Sequence, residues 1–145
     1  MFRYKLNYTN LIKRTIHPNF KIKETEQFSI IQTCIDYFNS EIQWDNMFTL
    51  PVAINRINNG DKMFIGLYND EIIGYCWLHQ NTDLNYYIYN IFIKTTDTPR
   101  NYGATDMVYF VIENYTNGFI EMDIDEWNIK SQHMANKLGF ILINN

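Results

Sequence analysis

The chain has 145 residues and a mass of 17.4 kDa, the size of one ordinary domain, and its 46% hydrophobic and 17% aromatic content exclude a disordered chain. A formal net charge of −4 argues against a general binder of nucleic acid or membrane surfaces. No apolar run approaches the ~20 residues that a membrane span requires. The opening MFRYKLNYTNLIKR has no apolar signal core and no cleavage site, so a cytoplasmic protein is expected. Cys34 and Cys76 lack metal-ligand spacing and are expected as buried free thiols, and no metal site is predicted.

In chain order, Phe2, Tyr4, Leu6 and Tyr8 alternate with Arg3, Lys5 and Asn7, which predicts a half-buried strand. Phe20 to Lys23 repeats the pattern briefly. Across residues 24–41, Phe28, Ile31, Ile35 and Phe38 recur every three or four positions, as on the inner face of an amphipathic helix. Pro51 suits a first helical turn and Gly60 a stop, so a short helix is expected near Leu50 to Ile57. MFIGLY and EIIGYCWLH flank Asn69-Asp70, a hairpin signal. Tyr86 to Lys94 is aromatic and β-branched throughout, as a strand covered on both faces would be.

The connection TTDTPRNYG leads to a helix over Thr105 to Tyr115, with Val108, Val111, Ile112 and Tyr115 inward and Asn117-Gly118 closing it. FIEMDID reads as a strand, Trp127 to Leu138 as a helix stopped by Gly139, and FILIN as the last strand. The absence of repeats and linkers indicates a single domain over residues 1–145, with residues 1–18 an extra N-terminal strand segment. A hairpin followed by β-loop-α-β indicates an α/β (α+β) fold: a central mixed, twisted sheet with helices on both faces.

Three segments, in this order, resemble the GNAT superfamily of acyl-CoA-dependent N-acetyltransferases. MFIGLYNDEIIGYCWL is similar to its central hairpin. YIYNIFIK followed by RNYGAT is similar to its strand and Q/R-x-x-G-x-G/A loop. EWNIKSQHMANKLGF is similar to its Asn-x-x-Ala/Ser helix ending in Leu-Gly-Phe. The loop's own chemistry agrees: a glycine permits close approach, the first N–H groups of a helix form an anion site, and an arginine adds a charge-assisted contact. A tight turn with a solvated arginine would use the same letters.

The resemblance implies acetyl-CoA as cofactor, its pyrophosphate held by Arg100, Asn101, Tyr102, Gly103, Ala104 and Thr105. It implies that the backbone of Ile91, Phe92 and Ile93 pairs with the pantetheine arm, with Ile91 polarising the thioester oxygen. Asn128 and Ser131 match helix positions near the pantetheine and thiol, and Asn128 serves equally as a helix N-cap. The position of the family's thiolate-protonating tyrosine is Ala135. Thr105 stands where a small glycine or alanine is usual. Asp106 is expected to face away from the phosphates and to cap the helix.

No acid stands on the central strand; Glu41, Asp45, His79, Asp123 and Asp125 are candidate bases, each equally readable as a solvated surface group. Trp44, Phe48 and Trp77 are candidates for an acceptor pocket or for core. The family usually continues past Gly-Phe with another strand, and the alternating Phe2 to Tyr8 is expected to fill that place, in cis or from a partner subunit. The expected function is transfer of an acetyl group to a primary amine of a small molecule (amino sugar, polyamine or amino acid) or of a protein. The alternatives are a non-catalytic acyl-CoA-binding or interaction module on the same fold, and a structural domain that binds no CoA. The expected partner is an amine acceptor, with no nucleic acid, no membrane and a possible homodimer.

Overall fold

A computed structural model describes residues 1–41, 49–94 and 103–144. These residues form seven strands and four α-helices: β1 Phe2–Asn7, β2 Phe20–Thr25, α1 Phe28–Glu41, α2 Leu50–Asn58, β3 Lys62–Tyr68, β4 Glu71–Thr82, β5 Asn85–Ile93, α3 Ala104–Tyr115, β6 Phe119–Ile124, α4 Ile129–Leu138 and β7 Ile141–Asn144. The strands make one sheet in the order β2-β3-β4-β5-β6-β1-β7. Every neighbouring pair is antiparallel except β5 and β6, which run parallel. The expected α/β class with a mixed sheet is the one observed.

Helices α1 and α2 cover one face through Ile31, Cys34, Ile35 and Ala53, packed on Met63, Ile65, Tyr75 and Trp77. Helices α3 and α4 cover the other through Met107, Val108, Val111, Ile112, Met134 and Leu138, packed on Phe64, Leu78, Ile88 and Ile120. Alternation in the strands produces the two cores: Met63 and Ile65 turn one way, Phe64 the other. Both cysteines are buried free thiols. Burial pushes the Cys34 thiol up to about 12, so neither charge nor nucleophilicity is expected there.

β1 lies between β6 and β7 of its own chain, paired with β6 from Phe2↔Ile124 to Asn7↔Phe119. Tyr4 and Leu6 enter the core, as their alternation predicts. The strand stops at Asn7, because Tyr8–Asn10 turn as a 3-10 helix capped by the Asn7 side chain.

Several sequence expectations are corrected. Phe28 is 54% exposed: α1 begins there and not at Glu24, which leaves Phe28 in the solvent-facing first turn. β5 is not covered on both faces; Tyr86 and Ile88 are buried while Tyr87 and Tyr89 are half-exposed. Gly139 stops α4 in the left-handed region at φ 101, but Gly118 does not cap α3, whose C-cap is Thr116. Gly118 has a different reason to be glycine. An added Cβ would strike the backbone of Leu84, whose carbonyl accepts from Phe119 N–H at 2.8 Å. Gly118→Ala is therefore expected to cost about 1–3 kcal/mol, because a backbone neighbour cannot yield as a side chain can. Thermal melting of the variant checks this; an unchanged midpoint would contradict it.

Candidate active site

β5 and β6 pair only over Asn85–Tyr87 and Phe119–Glu121 and then part. The gap is a cleft of about 660 Å³ whose walls include Tyr87, Tyr89, Asn90 and Ile91 from β5, and Asp123 and Asp125 on the β6 side. Trp127, Asn128, Ser131 and Met134 close its end. The parting has a local cause. Tyr75 pairs with Phe92 and Trp77 with Tyr89, so Cys76 faces both Asn90 and Ile91. That extra residue is a β-bulge, and Asn90 takes the left-handed φ of 49 that asparagine tolerates.

Beyond the bulge, the backbone directions follow from one bond. Lys94 N–H donates to the Ile73 carbonyl at 2.6 Å, toward β4. By alternation, Ile93 and Ile91 direct their backbone groups to the other side, where β6 pairs no further than Tyr87. Their side chains meet the α3/α4 core, while the Phe92 ring sits 5.9 Å from Tyr75 and 5.5 Å from Tyr37 beneath α1. The sequence-predicted Ile91 thus lines the cleft, and Phe92 turns its side chain away from it.

Asn128 is the N-cap of α4, its Oδ1 accepting from Ser131 N–H at 3.1 Å. The cap leaves the amide's own N–H donors for the cleft, so the capping and binding uses are compatible. Asn128 N–H donates to the Asp125 carbonyl at 3.0 Å, and Gln132 Nε2 donates to the carbonyls of Asp125 and Glu126 at 3.2 and 2.9 Å, which fixes the turn. The helix therefore starts at Ile129, two residues later than its apolar pattern suggests, and Trp127 stands 75% exposed at the cleft. Ala135, the position without the family's tyrosine, is fully buried.

At the other proposed contact, Gly103 is the N-cap of α3 with no side-chain cap bond. Its φ of −172 is ordinary extended backbone that any residue adopts, so what bears on the expected close approach is the side chain that glycine lacks. What its missing side chain provides is space: among the described residues an added Cβ would meet nothing within 4 Å. Ala104 and Thr105 form the first turn behind it. Arg100, Asn101 and Tyr102 lie outside the described residues, as do Trp44, Asp45, Phe48 and the Glu41 side chain.

Asp106 does not cap α3. It is 2% exposed, and Arg14 Nε lies 2.8 Å from its Oδ1. The carboxylate is thus committed to the segment between β1 and β2. Burial raises its pKa, opposed by Arg14 and more weakly by His17.

The candidate bases separate clearly. Asp123 is held by Arg3, whose Nε and Nη2 each donate at 2.8 Å, and by the Tyr87 hydroxyl at 2.9 Å. The Arg3 hydrogen bonds hold its carboxyl below the usual range, which makes it a poor proton acceptor. Burial and the bond to Asp123 push the Tyr87 phenol up to about 12. His79 is not merely a solvated group: its Nδ1 lies 2.6 Å from Oδ1 of Asp61. The second oxygen of Asp61 accepts from the Tyr89 hydroxyl.

Asp61 was missed in the sequence because it follows Asn58-Asn59-Gly60 and reads as part of the turn. Its signal was the spacing Asp61, Met63, Ile65, which aligns it with two core residues of one strand face.

No family model and no curated protein matches the sequence. Solved structures do match. An acetyltransferase from Streptococcus agalactiae superposes with a TM-score of 0.67 at 17% identity, over 89% of this chain and 87% of that one. An aminoglycoside acetyltransferase from an uncultured soil metagenomic sample, in complex with sisomicin, gives 0.62 at 16% identity, over 81% and 86%. A GCN5-related N-acetyltransferase from Kribbella flavida gives 0.61 at 5% identity, over 97% and 53%. The chain spans little more than half of some of these chains, 53% of the Kribbella protein and 56% of a functionally unknown Staphylococcus epidermidis protein. At these identities the likeness is one of fold: the chain shares the fold of these acetyltransferases.

Proposed function

We propose that the chain is an N-acetyltransferase that takes acetyl-CoA in the β5–β6 cleft and passes its acetyl group to a primary amine. The observation that carries the reading is the gap itself. Among the described residues no strand pairs with the β6-facing edge of β5 from Ile91 to Ile93, and an extended pantetheine arm satisfies such an edge as another strand would. The residues present fit the ligand. Ile91 N–H serves as donor to the thioester oxygen, and Ile93 continues the backbone contacts. The Asn128 amide and the Ser131 hydroxyl supply donors near the thiol end. The open space at Gly103 and the first N–H groups of α3 suit the pyrophosphate, with Arg100, Asn101, Tyr102, Ala104 and Thr105 completing that cradle. Bound acetyl-CoA supplies an activated acyl carbon and a thiol leaving group, which leaves at a useful rate without a protonating tyrosine at Ala135.

An amino sugar, polyamine or amino acid is the favoured acceptor class. The tyrosines on the half-open β5 face and the aminoglycoside acetyltransferase among the structural neighbours support it. A second reading, an acyl-CoA-binding module without turnover, draws on buried Ala135 and the acid-free β5. Thiol release from acetyl-CoA across a panel of amines separates the two. The proposal expects release with at least one amine; binding without release supports the module.

A further inference from the structure

β5 carries no carboxylate at the cleft, yet two of its tyrosines are each bonded to one. Tyr87 and Tyr89 stack 5.9 Å apart at 27° on one face, and their hydroxyls run to opposite sides. The first reaches Asp123 and the second Asp61. The Asp123 arm is neutralised by Arg3 through two bonds of 2.8 Å. The Asp61 arm differs. Its side chain is 4% exposed, and the pairing that anchors it is to His79 Nδ1 at 2.6 Å, with His79 42% exposed. Through its bond to a phenol that lines the cleft, this buried carboxylate has a path for a proton from the cleft.

Resting on the acetyltransferase reading, we propose that Asp61, working through the Tyr89 hydroxyl, is the base that deprotonates the incoming amine, with His79 as a positioning residue. The amine enters as R–NH3⁺. Tyr89 Oη accepts one proton as it passes its own to Asp61 Oδ2, leaving R–NH2 and a neutral carboxyl. The nitrogen lone pair then forms the C–N bond, the C–S bond breaks, and its electron pair leaves on sulfur, which takes the second proton from nitrogen. Asp61 returns its proton to water when the cleft empties. Tyr89 suits this place: it lines the same cleft as Ile91, two residues along the strand, where the thioester oxygen would sit. His79 donates Nδ1–H to the other carboxylate oxygen and so holds Asp61 with one lone pair aimed at Tyr89. Among the described residues, the groups facing this dyad from the packed elements are His79 on β4, Tyr87 and Tyr89 on β5, and Arg56 on α2, whose guanidinium lies 4.7 Å from the Tyr89 ring centre. The Trp77 ring stacks against Tyr89 with centres 6.3 Å apart.

The test uses the full chain with acetyl-CoA and spermidine, sisomicin or lysine as acceptor. Tyr89→Phe keeps the ring and its packing but breaks the path. Its kcat is expected to fall roughly 100-fold, within the range for general base catalysis. Acetyl-CoA affinity should not move, and the melting temperature should fall only modestly, since Asp61 keeps its bond to His79. Two readouts distinguish a proton path from a structural bond. In the variant, log kcat should climb with pH at a slope near one, as hydroxide replaces the base, where the parent is flat. The deficit should also shrink for trifluoroethylamine, which is already neutral at the assay pH. His79→Gln, which can still donate to Asp61, should retain most activity, while His79→Leu should not. Full activity in Tyr89→Phe, or a deficit equal for neutral and protonated amines, overturns the base and leaves the acetyltransferase reading standing. Acetyl-CoA binding by the parent with no release from any of these amines overturns both.

Discussion

Replacing Arg14 with alanine is expected to cost about 3 kcal/mol at neutral pH and far less in acid. Asp106 is 2% exposed and Arg14 Nε is its ion-pair partner at 2.8 Å. Breaking a buried pair from one side typically costs ~3–5 kcal/mol, because the remaining charge keeps its desolvation penalty and loses its compensation. Arg14 is partly open to water, which places the expectation at the low end of that range. The sign of the pH dependence follows from the shift. Burial raises the folded-state pKa of Asp106 above its unfolded value, and the loss of Arg14 raises it further. A raised carboxyl contributes stability that is present below the unfolded pKa and lost as pH rises through the folded one. The variant should therefore match the parent near the bottom of the carboxylate range and diverge through the window up to the raised value. Denaturant unfolding at several pH values reads this directly. Arg14→Ala with Asp106→Asn should recover most of the loss, since a neutral amide carries no uncompensated charge. A pH-independent loss would mean that Arg14 acts by packing alone.

Removal of residues 1–9 is expected to abolish cooperative folding. β1 is an interior strand, hydrogen-bonded to β6 along six residues and to β7 from Arg3 to Lys5. Its loss removes buried Tyr4 and Leu6, each worth ~1.5–3 kcal/mol by burial alone. It also removes the Arg3 contacts to Asp123 and Glu121, exposes the ladder edge of β6, and leaves β7 without a partner. Against a typical total of ~5–15 kcal/mol, these losses leave little margin. Circular dichroism and size-exclusion chromatography should show an unfolded or aggregated chain. A truncated chain with the parent's melting curve and oligomeric state would contradict the placement of β1.

The sequence revealed those features that repeat locally. Asn69-Asp70 between two apolar runs located the hairpin, and Gly139 located the end of α4. Tyr4 and Leu6 marked β1 as a half-buried strand, yet nothing in their spacing says that it inserts between β6 and β7, which is a non-local choice. The candidate site divides in the same way. Ile91, Asn128 and Ser131 were found by motif and do line one cleft. Asp61, Tyr87, Tyr89 and Arg3 were not, since their significance lies in bonds between residues that are 18 to 120 positions apart. Gly103 was singled out for the close approach a glycine permits, and its backbone is ordinary extended chain with unfilled space beside it among the described residues. Asp106 looked like a charge set against phosphate; burial and Arg14 turn it into a fixture of the protein's own interior.

Binding of acetyl-CoA is the most direct test of the central claim. Isothermal titration of the parent protein should give a single binding event that free CoA competes away. Gly103→Val is the paired variant: its Cβ enters open space and its backbone is extended, so the fold should be unaffected while the approach of a pyrophosphate is obstructed. Its melting temperature should equal the parent's, and its affinity should fall at least tenfold, about 1.4 kcal/mol. No binding by the parent, or undiminished binding by the folded variant, would contradict the assignment of this cleft and loop to acetyl-CoA.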